Sequence, residues 1–493
     1  MKTMPFGLGA TLFVGGYLLV MLVLGYVARR ARRSESLSDF YLAGKNLGGF
    51  VLLLTLYATQ YSGNALLGYP GEAYRLGFAW VMSVGFMMAI VVVYLLFAPR
   101  LHRLAKRFDY ITPGDWIDHR FGSPALTLLA NVLLVIAISN YLLAQLMAMG
   151  HVVAGLSGQA IPYWVGVVLL TLVIIVYETM GGMRAVAWTD CIQGLMLLVG
   201  LVGLLIAAAP GPEHLRAATA WIIAHQPEKA IVPSWSICAT WLSTILLIGF
   251  SGSVYPQAIQ RIYAARDVRA LKRSLSLMVF MPLLTMVVVY LIGILAIRHF
   301  ADLRGVAADQ VMPMLLRQWA AQSVWMYALA ILVLTGILAA IMSTADSVLL
   351  SLSSILAKDF VGKLWLKQVP EERLTRVGKR LSWAIMAILV MIALVPRITL
   401  WGLTELKMEV LAQVSPVFVL GVIWPRLTAR AALVGMVAGA TLAVGLTLGG
   451  YGKVWGFHAG LLGWALNMLV CVVWSSWPVT SAERAVTPDA EVG

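Results

Sequence analysis

Residues 58–71 read Ala58-Thr59-Gln60-Tyr61-Ser62-Gly63-Asn64-Ala65-Leu66-Leu67-Gly68-Tyr69-Pro70-Gly71. They lie in an apolar run, which Tyr61-Ser62-Gly63-Asn64 interrupts midway and Pro70-Gly71 closes. A second stretch, Gly249-Phe250-Ser251-Gly252-Ser253 followed by Pro256, repeats the pattern. Backbone unwound at membrane depth is tolerated only where it lines a cavity or binds something. Glycine by itself is a weaker clue, because it also lets transmembrane helices pack closely. Two interrupted spans at matching places in two halves point instead to a transport site between inverted repeats.

The surrounding composition makes the membrane the solvent. Of 493 residues, 61% are hydrophobic and 12% are charged, with a mean hydropathy of +0.87. A soluble domain carries about 25% charged residues, so half of the hydrating charge is missing. Apolar spans are expected near 6–28, 48–69, 77–98, 124–150, 161–179, 187–209, 236–256, 275–298, 323–356, 381–396, 400–424, 431–449 and 456–475. Each of these roughly 13 spans can cross a hydrocarbon core of about 30 Å as a helix. The reading is an all-α polytopic membrane protein with one transmembrane domain over 1–477 and a short cytoplasmic tail, 478–493. The interrupted spans are the second and the seventh, which fits two five-helix repeats over about 48–209 and 236–424. The run 6–27 is too long for a cleaved signal and meets Arg29, Arg30, Arg32 and Arg33, a stop-transfer pattern.

A net charge of +14 invites a nucleic-acid reading. The distribution excludes it, because Lys and Arg cluster in short loops at 29–45, 100–107, 261–273 and 358–380. These loops alternate with neutral or mixed ones, 151–160 and 210–234. The positive-inside rule then places the N-terminus outside and the C-terminus in the cytoplasm of a plasma membrane, a bacterial inner membrane. Pro210, Pro212, Pro227 and Pro233 leave room for a short surface helix in the longest external loop. The three cysteines show neither metal-ligand nor disulfide spacing. The seven histidines sit in loops or near span ends without an HExxH pattern or clustered carboxylates, which argues against an enzyme.

Chemistry-bearing residues concentrate in a few spans. Ala340, Ser343, Thr344 and Ser347 share one helix face. Hydroxyls and freed carbonyls are hard neutral donors suited to a monovalent cation. The same pattern also suits a small-residue packing stripe, or hydroxyls bonded to their own backbone. Asp190 and Asp346 are intramembrane carboxylates, which are expensive and face the bundle interior or a cation. They could hold a cation, share a proton, or pair one of their number with Arg184. Substrate candidates are Ser62, Asn64 and Ala65 at the first break, and Ser251, Ser253, Tyr255 and Gln257 at the second. Asn140, Tyr141 and Gln145 of the fourth span join them if their face is interior. Glu405, Lys407, Glu409 and Gln413 form a polar cluster in the eleventh span. That cluster could contact a charged substrate, or form an internal Glu–Lys pair at the membrane surface.

The run Gly181-Gly182-Met183-Arg184-Ala185-Val186-Ala187-Trp188-Thr189-Asp190-Cys191-Ile192-Gln193-Gly194 resembles the signature of the sodium:solute symporter family. Members of that family carry sugars, proline, pantothenate, sialic acid and iodide. The run 339–347 resembles the family's sodium-site helix, and 58–71 its broken first core helix, in particular that of pantothenate- and proline-type carriers. Pro256-Gln257 before Arg261 does likewise, so the resemblance covers nearly the whole chain. It implies a LeuT-type fold with one helix before the core and two after it. It also implies a main sodium site of the Ala58, Tyr61 and Ala340 carbonyls with the Ser343 and Thr344 hydroxyls. In some relatives a second cation site lies nearer the cytoplasm; here it would draw on Asp190, Ser343, Asp346 and Ser347. Asp346 departs from the relatives, which mostly carry Ser or Asn there. Na+ as coupling ion, no organic cofactor, and a carboxylate such as pantothenate or an amino acid as substrate complete the expectation. A proton-coupled carrier of the same fold and a substrate sensor are the alternatives. The oligomeric state stays open, a monomer included.

Overall fold

The computed structural model describes residues 7–157, 160–208, 212–300, 302–365, 369–395 and 399–476. The tail expected at 478–493 lies outside them. The chain is nearly all helix. In order the helices are α1 (Gly7–Arg30), α2 (Leu37–Leu42), α3 (Gly49–Gln60), α4 (Tyr69–Leu76), α5 (Ser83–Arg107), α6 (Pro113–Phe121) and α7 (Pro124–Leu156). There follow α8 (Tyr163–Ala208), α9 (Pro212–His225), α10 (Trp235–Gly252), α11 (Pro256–Ala264), α12 (Val268–Met278), α13 (Met281–His299) and α14 (Val311–Ala320). The rest are α15 (Val324–Ser354), α16 (Glu371–Ala393), α17 (Leu400–Ala412), α18 (Ser415–Ile423), α19 (Ala429–Leu448) and α20 (Ala459–Ser476). A small hairpin, β1 (Lys453–Val454) and β2 (Phe457–His458), precedes α20.

Among the described residues, 9 helical segments are long and apolar enough to cross a membrane, or 10 if α17 and α18, bent by 41°, are one span. The expectation of about 13 differs for identifiable reasons. The 12 residues of α3 are too short alone, and the first turns of α16 are charged. Two expected spans, 161–179 and 187–209, run on without a loop between them as the 46 residues of α8. Straight, it would be about 69 Å long at 1.5 Å per residue, but it is bent into two arms, 163–181 and 183–208, each about the length of one crossing. Its only departure from helical geometry is Gly182, with φ 58° and ψ −148°. A side chain at Gly182 would run into the Phe40 backbone and ring, so glycine is required for the bend on both counts.

Both interrupted spans break where the sequence places the interruption. α3 stops at Gln60, Tyr61 takes a non-helical ψ of 86°, and a π-helical turn, Asn64–Gly68, leads into α4. Pro70-Gly71 does not close this span, as expected from sequence, but stands in the first turn of α4. Proline suits that position, where no N–H is needed inside the helix. The second span behaves the same way: α10 ends at Gly252, and Pro256 opens α11, which continues to Ala264 beyond the expected end. Every residue of α11 is buried, Arg261 included. That placement corrects the reading of Arg261 as the first residue of a cytoplasmic basic loop.

The start of α3 and the end of α11 are stapled by backbone. Leu47 N–H donates to the Ala264 carbonyl at 2.9 Å, and Arg266 N–H donates to the Leu47 carbonyl at 2.9 Å. On the far side of the first break, Tyr69, Trp80, Phe86 and Trp401 pack as one aromatic cluster with ring centroids 4.7–5.9 Å apart. Beside it, Arg75 pairs with Glu72 at 2.5 Å, and Asp309 accepts from the Leu400 N–H at 3.0 Å. The surface helix expected in 210–234 is α9.

Candidate functional site

The centre of the bundle is set by three elements: the end of α3, the face of α15 that carries hydroxyls, and the N-terminal half of α11. A helix end leaves its last carbonyls without an intrahelical partner. The last turn of α3 therefore offers free carbonyl oxygens around Ala58, Thr59 and Tyr61. Thr344 of α15 reaches them: its hydroxyl lies 3.2 Å from the Thr59 carbonyl and 3.0 Å from the Ala340 carbonyl. The break and the hydroxyl face are thus in direct contact. Gly63 permits this approach, since a Cβ there would stand 2.6 Å from Ala148 Cβ and 2.9 Å from Ile341 Cγ1.

One turn further on, the cluster is ionic. Asp190, Asp346 and Arg261 are each fully buried. Arg261 donates from Nη2 to Asp190 Oδ2 at 2.9 Å and to Ser347 Oγ at 2.5 Å. Its Nε donates to Thr55 Oγ1 at 2.8 Å, and its Nη1 to the Gln257 carbonyl at 3.0 Å. Ser343 donates to the other Asp190 oxygen at 2.5 Å, and Thr55 also donates to Asp190. Asp346 accepts from Tyr177 at 2.6 Å and from Ser347 at 3.1 Å. Two carboxylates thus face a single guanidinium.

Asp190, Ser343, Asp346 and Ser347 are therefore brought together as the sequence suggested, around a cation that the sequence did not suggest. The pairing of Asp190 or Asp346 with Arg184 does not form. Arg184 binds Asp39 at 2.8 Å, because the bend at Gly182 turns it toward α2. Arg261 takes the role instead. Its signal in the sequence is the spacing of four from Gln257, which keeps both on one face if the helix runs on past Pro256.

The substrate candidates divide. Gln145 accepts from the Gly63 N–H at 2.9 Å, so the fourth span faces the first break. Ser62 and Ala65 are buried there; the Asn64 side chain lies outside those described. Tyr255 stacks on Tyr141 with centroids 5.3 Å apart, which joins the second break to the same helix. Ser251 sits beside Met408, and Gln257 is fully buried with both amide atoms unpartnered. Ser253 bonds its own helix at the Phe250 carbonyl, and Asn140 donates to the Leu403 carbonyl. Glu409 and Gln413 are not brought to the breaks. Glu409 accepts from Thr447, and Gln413 donates to the Gly460 carbonyl, so both face α19 and α20. The internal Glu–Lys pair also fails to form: Glu405 pairs with Lys453 at 3.2 Å and with His458 at 3.3 Å, while Lys407 turns inward.

Two broken helices meeting around buried polar groups define a carrier with its site at the repeat interface. Residues 40–439 match the model of the sodium:solute symporter family, and the chain belongs to that family. It is 28% identical over 473 residues to the sodium/pantothenate symporter of Escherichia coli, covering 93% of this chain and 94% of that one. It is 26% identical over 472 residues to the osmoregulated proline transporter OpuE of Bacillus subtilis, covering 93% of each. Among solved structures, a Na+-coupled sialic acid symporter in its substrate-bound outward-open state superposes with a TM-score of 0.78. At 20% identity over 98% of this chain and 100% of that one, it shows the shared fold. MhsT in complex with L-phenylalanine, at 14% identity, superposes with a TM-score of 0.52 over 87% of this chain and 98% of its own. The LeuT-type fold expected from the resemblance is therefore the fold of this multi-pass membrane protein.

Proposed function

We propose that the protein is a sodium-coupled symporter that imports a small organic solute by alternating access. The observation that carries this reading is Thr344 bridging the freed carbonyls of α3 to α15, since a cation bound there would tie the moving break to a fixed helix. The Ala58, Tyr61 and Ala340 carbonyls with the Ser343 and Thr344 hydroxyls are the main sodium ligands in this proposal. Asp190, Ser343, Asp346 and Ser347 form a second cation site, at which two carboxylates share the single guanidinium of Arg261 and can take one monovalent cation. Solute binds between the two breaks, against Ser62, Ala65, Gln145, Ser251, Tyr255 and Gln257. The relatives named for pantothenate and proline support a carboxylate or an amino acid. The N-terminus lies outside and the C-terminus in the cytoplasm, by the loop charges.

A charge crossing 100 mV gains about 2.3 kcal/mol, and a tenfold sodium gradient adds about 1.4. One sodium per cycle thus sustains a solute ratio of several hundredfold, roughly 3.7 kcal/mol in all. The test is uptake into proteoliposomes with sodium or choline outside at fixed pH. Uptake that needs sodium supports the reading; equal uptake in choline that follows an inward proton gradient replaces it with proton coupling through the Asp190–Asp346 pair.

A further inference from the structure

Lys407 has no charge of its own to meet. Its side chain is 2% exposed, at the centre of the bundle, where α17 packs against α7, α10 and the turn after the first break. Among the described residues its ammonium forms no ion pair and no hydrogen bond. Its neighbours are two aromatic faces: Nζ lies 3.3 Å from the Tyr141 ring centroid and 5.0 Å from that of Tyr255. These rings stack at 5.3 Å and join the fourth span to the second break. A cation over an aromatic face recovers only part of the cost of desolvation. A buried lysine held this way keeps its charge only while an anion is brought beside it.

Among the described residues none supplies one. Asp190 and Asp346 are engaged by Arg261, Ser343, Thr55, Ser347 and Tyr177. Glu405 is held by Lys453 and His458, and Glu409 by Thr447. We infer that Lys407 is the anchor for a carboxylate on the transported solute, and that the solute is a small organic monocarboxylate anion rather than a zwitterion or a sugar. An ammonium on the ligand would add a second positive charge beside Lys407, with every nearby carboxylate already taken. Gln257, two residues past Tyr255 with an unpartnered buried amide, offers a donor and an acceptor to the rest of the ligand. The inference rests on the symporter reading and narrows its substrate.

The test is thermal stability of the purified protein in sodium buffer across a fixed panel: acetate, lactate, benzoate and pantothenate as monocarboxylates, proline and glycine as zwitterions, and galactose as a neutral solute. At least one monocarboxylate should raise the wild-type melting temperature saturably, and the zwitterions and galactose should not. In Lys407→Met, monodisperse and helical by circular dichroism, affinity for that carboxylate should fall at least tenfold, and Lys407→Arg should retain most of it. Should Lys407→Met fail to fold, Lys407→Arg and the wild-type panel still decide. Stabilisation by proline or galactose alone, equal carboxylate affinity in Lys407→Met, or no response to any monocarboxylate overturns the inference. Sodium raising the wild-type melting temperature in those cases leaves the symporter reading standing. No response to sodium itself overturns both.

Discussion

Replacing Arg261 by methionine keeps the length of the side chain and removes the guanidinium from a site with no access to water. The structure fixes what is lost. Four hydrogen bonds go, to Asp190, Ser347, Thr55 and the Gln257 carbonyl. Asp190 keeps Ser343 and Thr55 as donors but loses its counter-charge, and Asp346 stays close by. Removing one partner of a buried pair costs about 3–5 kcal/mol, because the other charge is left uncompensated. Arg261→Met should therefore lose that much stability in choline. Since the site then carries one positive charge fewer, sodium should restore more stability to the variant than it adds to the wild type. The double variant Arg261→Met, Asp190→Asn should be less destabilised than Arg261→Met alone, as the orphaned carboxylate is gone. The assay is unfolding by SDS titration in mixed micelles, with sodium or choline, read by tryptophan fluorescence. Wild-type stability in Arg261→Met, or a double variant worse than either single by the sum of their losses, refutes the assignment of Arg261 as the internal counter-ion.

Thr344→Ala removes the bridge between α15 and the α3 carbonyls, and should raise the sodium concentration for half-maximal uptake by about tenfold, the worth of one hydrogen bond to a charged group; an unchanged sodium dependence counts against the main site. Gly63→Ala places a methyl against Ala148 and Ile341 and should cost about 1–3 kcal/mol in the same SDS titration. Trp401→Ala opens a cavity in the aromatic cluster and should cost about 3–5 kcal/mol, with Trp401→Phe costing distinctly less. Asp309, in the loop before α14, is raised by burial to about 6 against the pull of the Leu400 N–H and Arg75. A raised carboxyl favours the folded state most at low pH, and that contribution fades as pH rises through about 6. Asp309→Asn should therefore flatten the stability profile between about pH 4 and pH 6, measured by thermal unfolding; an unchanged profile contradicts it.

The breaks were legible because two Gly- and Ser-bearing interruptions stand at matching places in two halves, where either alone reads equally as close helix packing, and the hydroxyl face of α15 because helical spacing fixes neighbours. Helix continuity was not legible. Pro70 and Pro256 read as stops, whereas a proline serves equally to start a helix, and only the packing of α4 and α11 decides between the two. That ambiguity hid Arg261, which lies one turn past Pro256 and reads as the edge of a basic loop. The direction of a side chain was equally out of reach: Glu405, Lys407 and Glu409 stand within five residues, yet they point to three different neighbours, β1–β2, the central tyrosines and α19. Gly182 carried the bend of α8, but nothing in local sequence says that two adjacent glycines will yield one kink rather than a loop.

The backbone staple at Leu47 has a mechanical consequence. Its N–H and its carbonyl are both committed, one to Ala264 and the other to Arg266, so the start of α3 and the end of α11 are yoked. Neither arm can swing away from the site without carrying the other. Opening at that end is then a single-jaw movement against the rest of the bundle, and a substitution that cuts the yoke, such as Leu47→Pro, would let solute slip through without its ion.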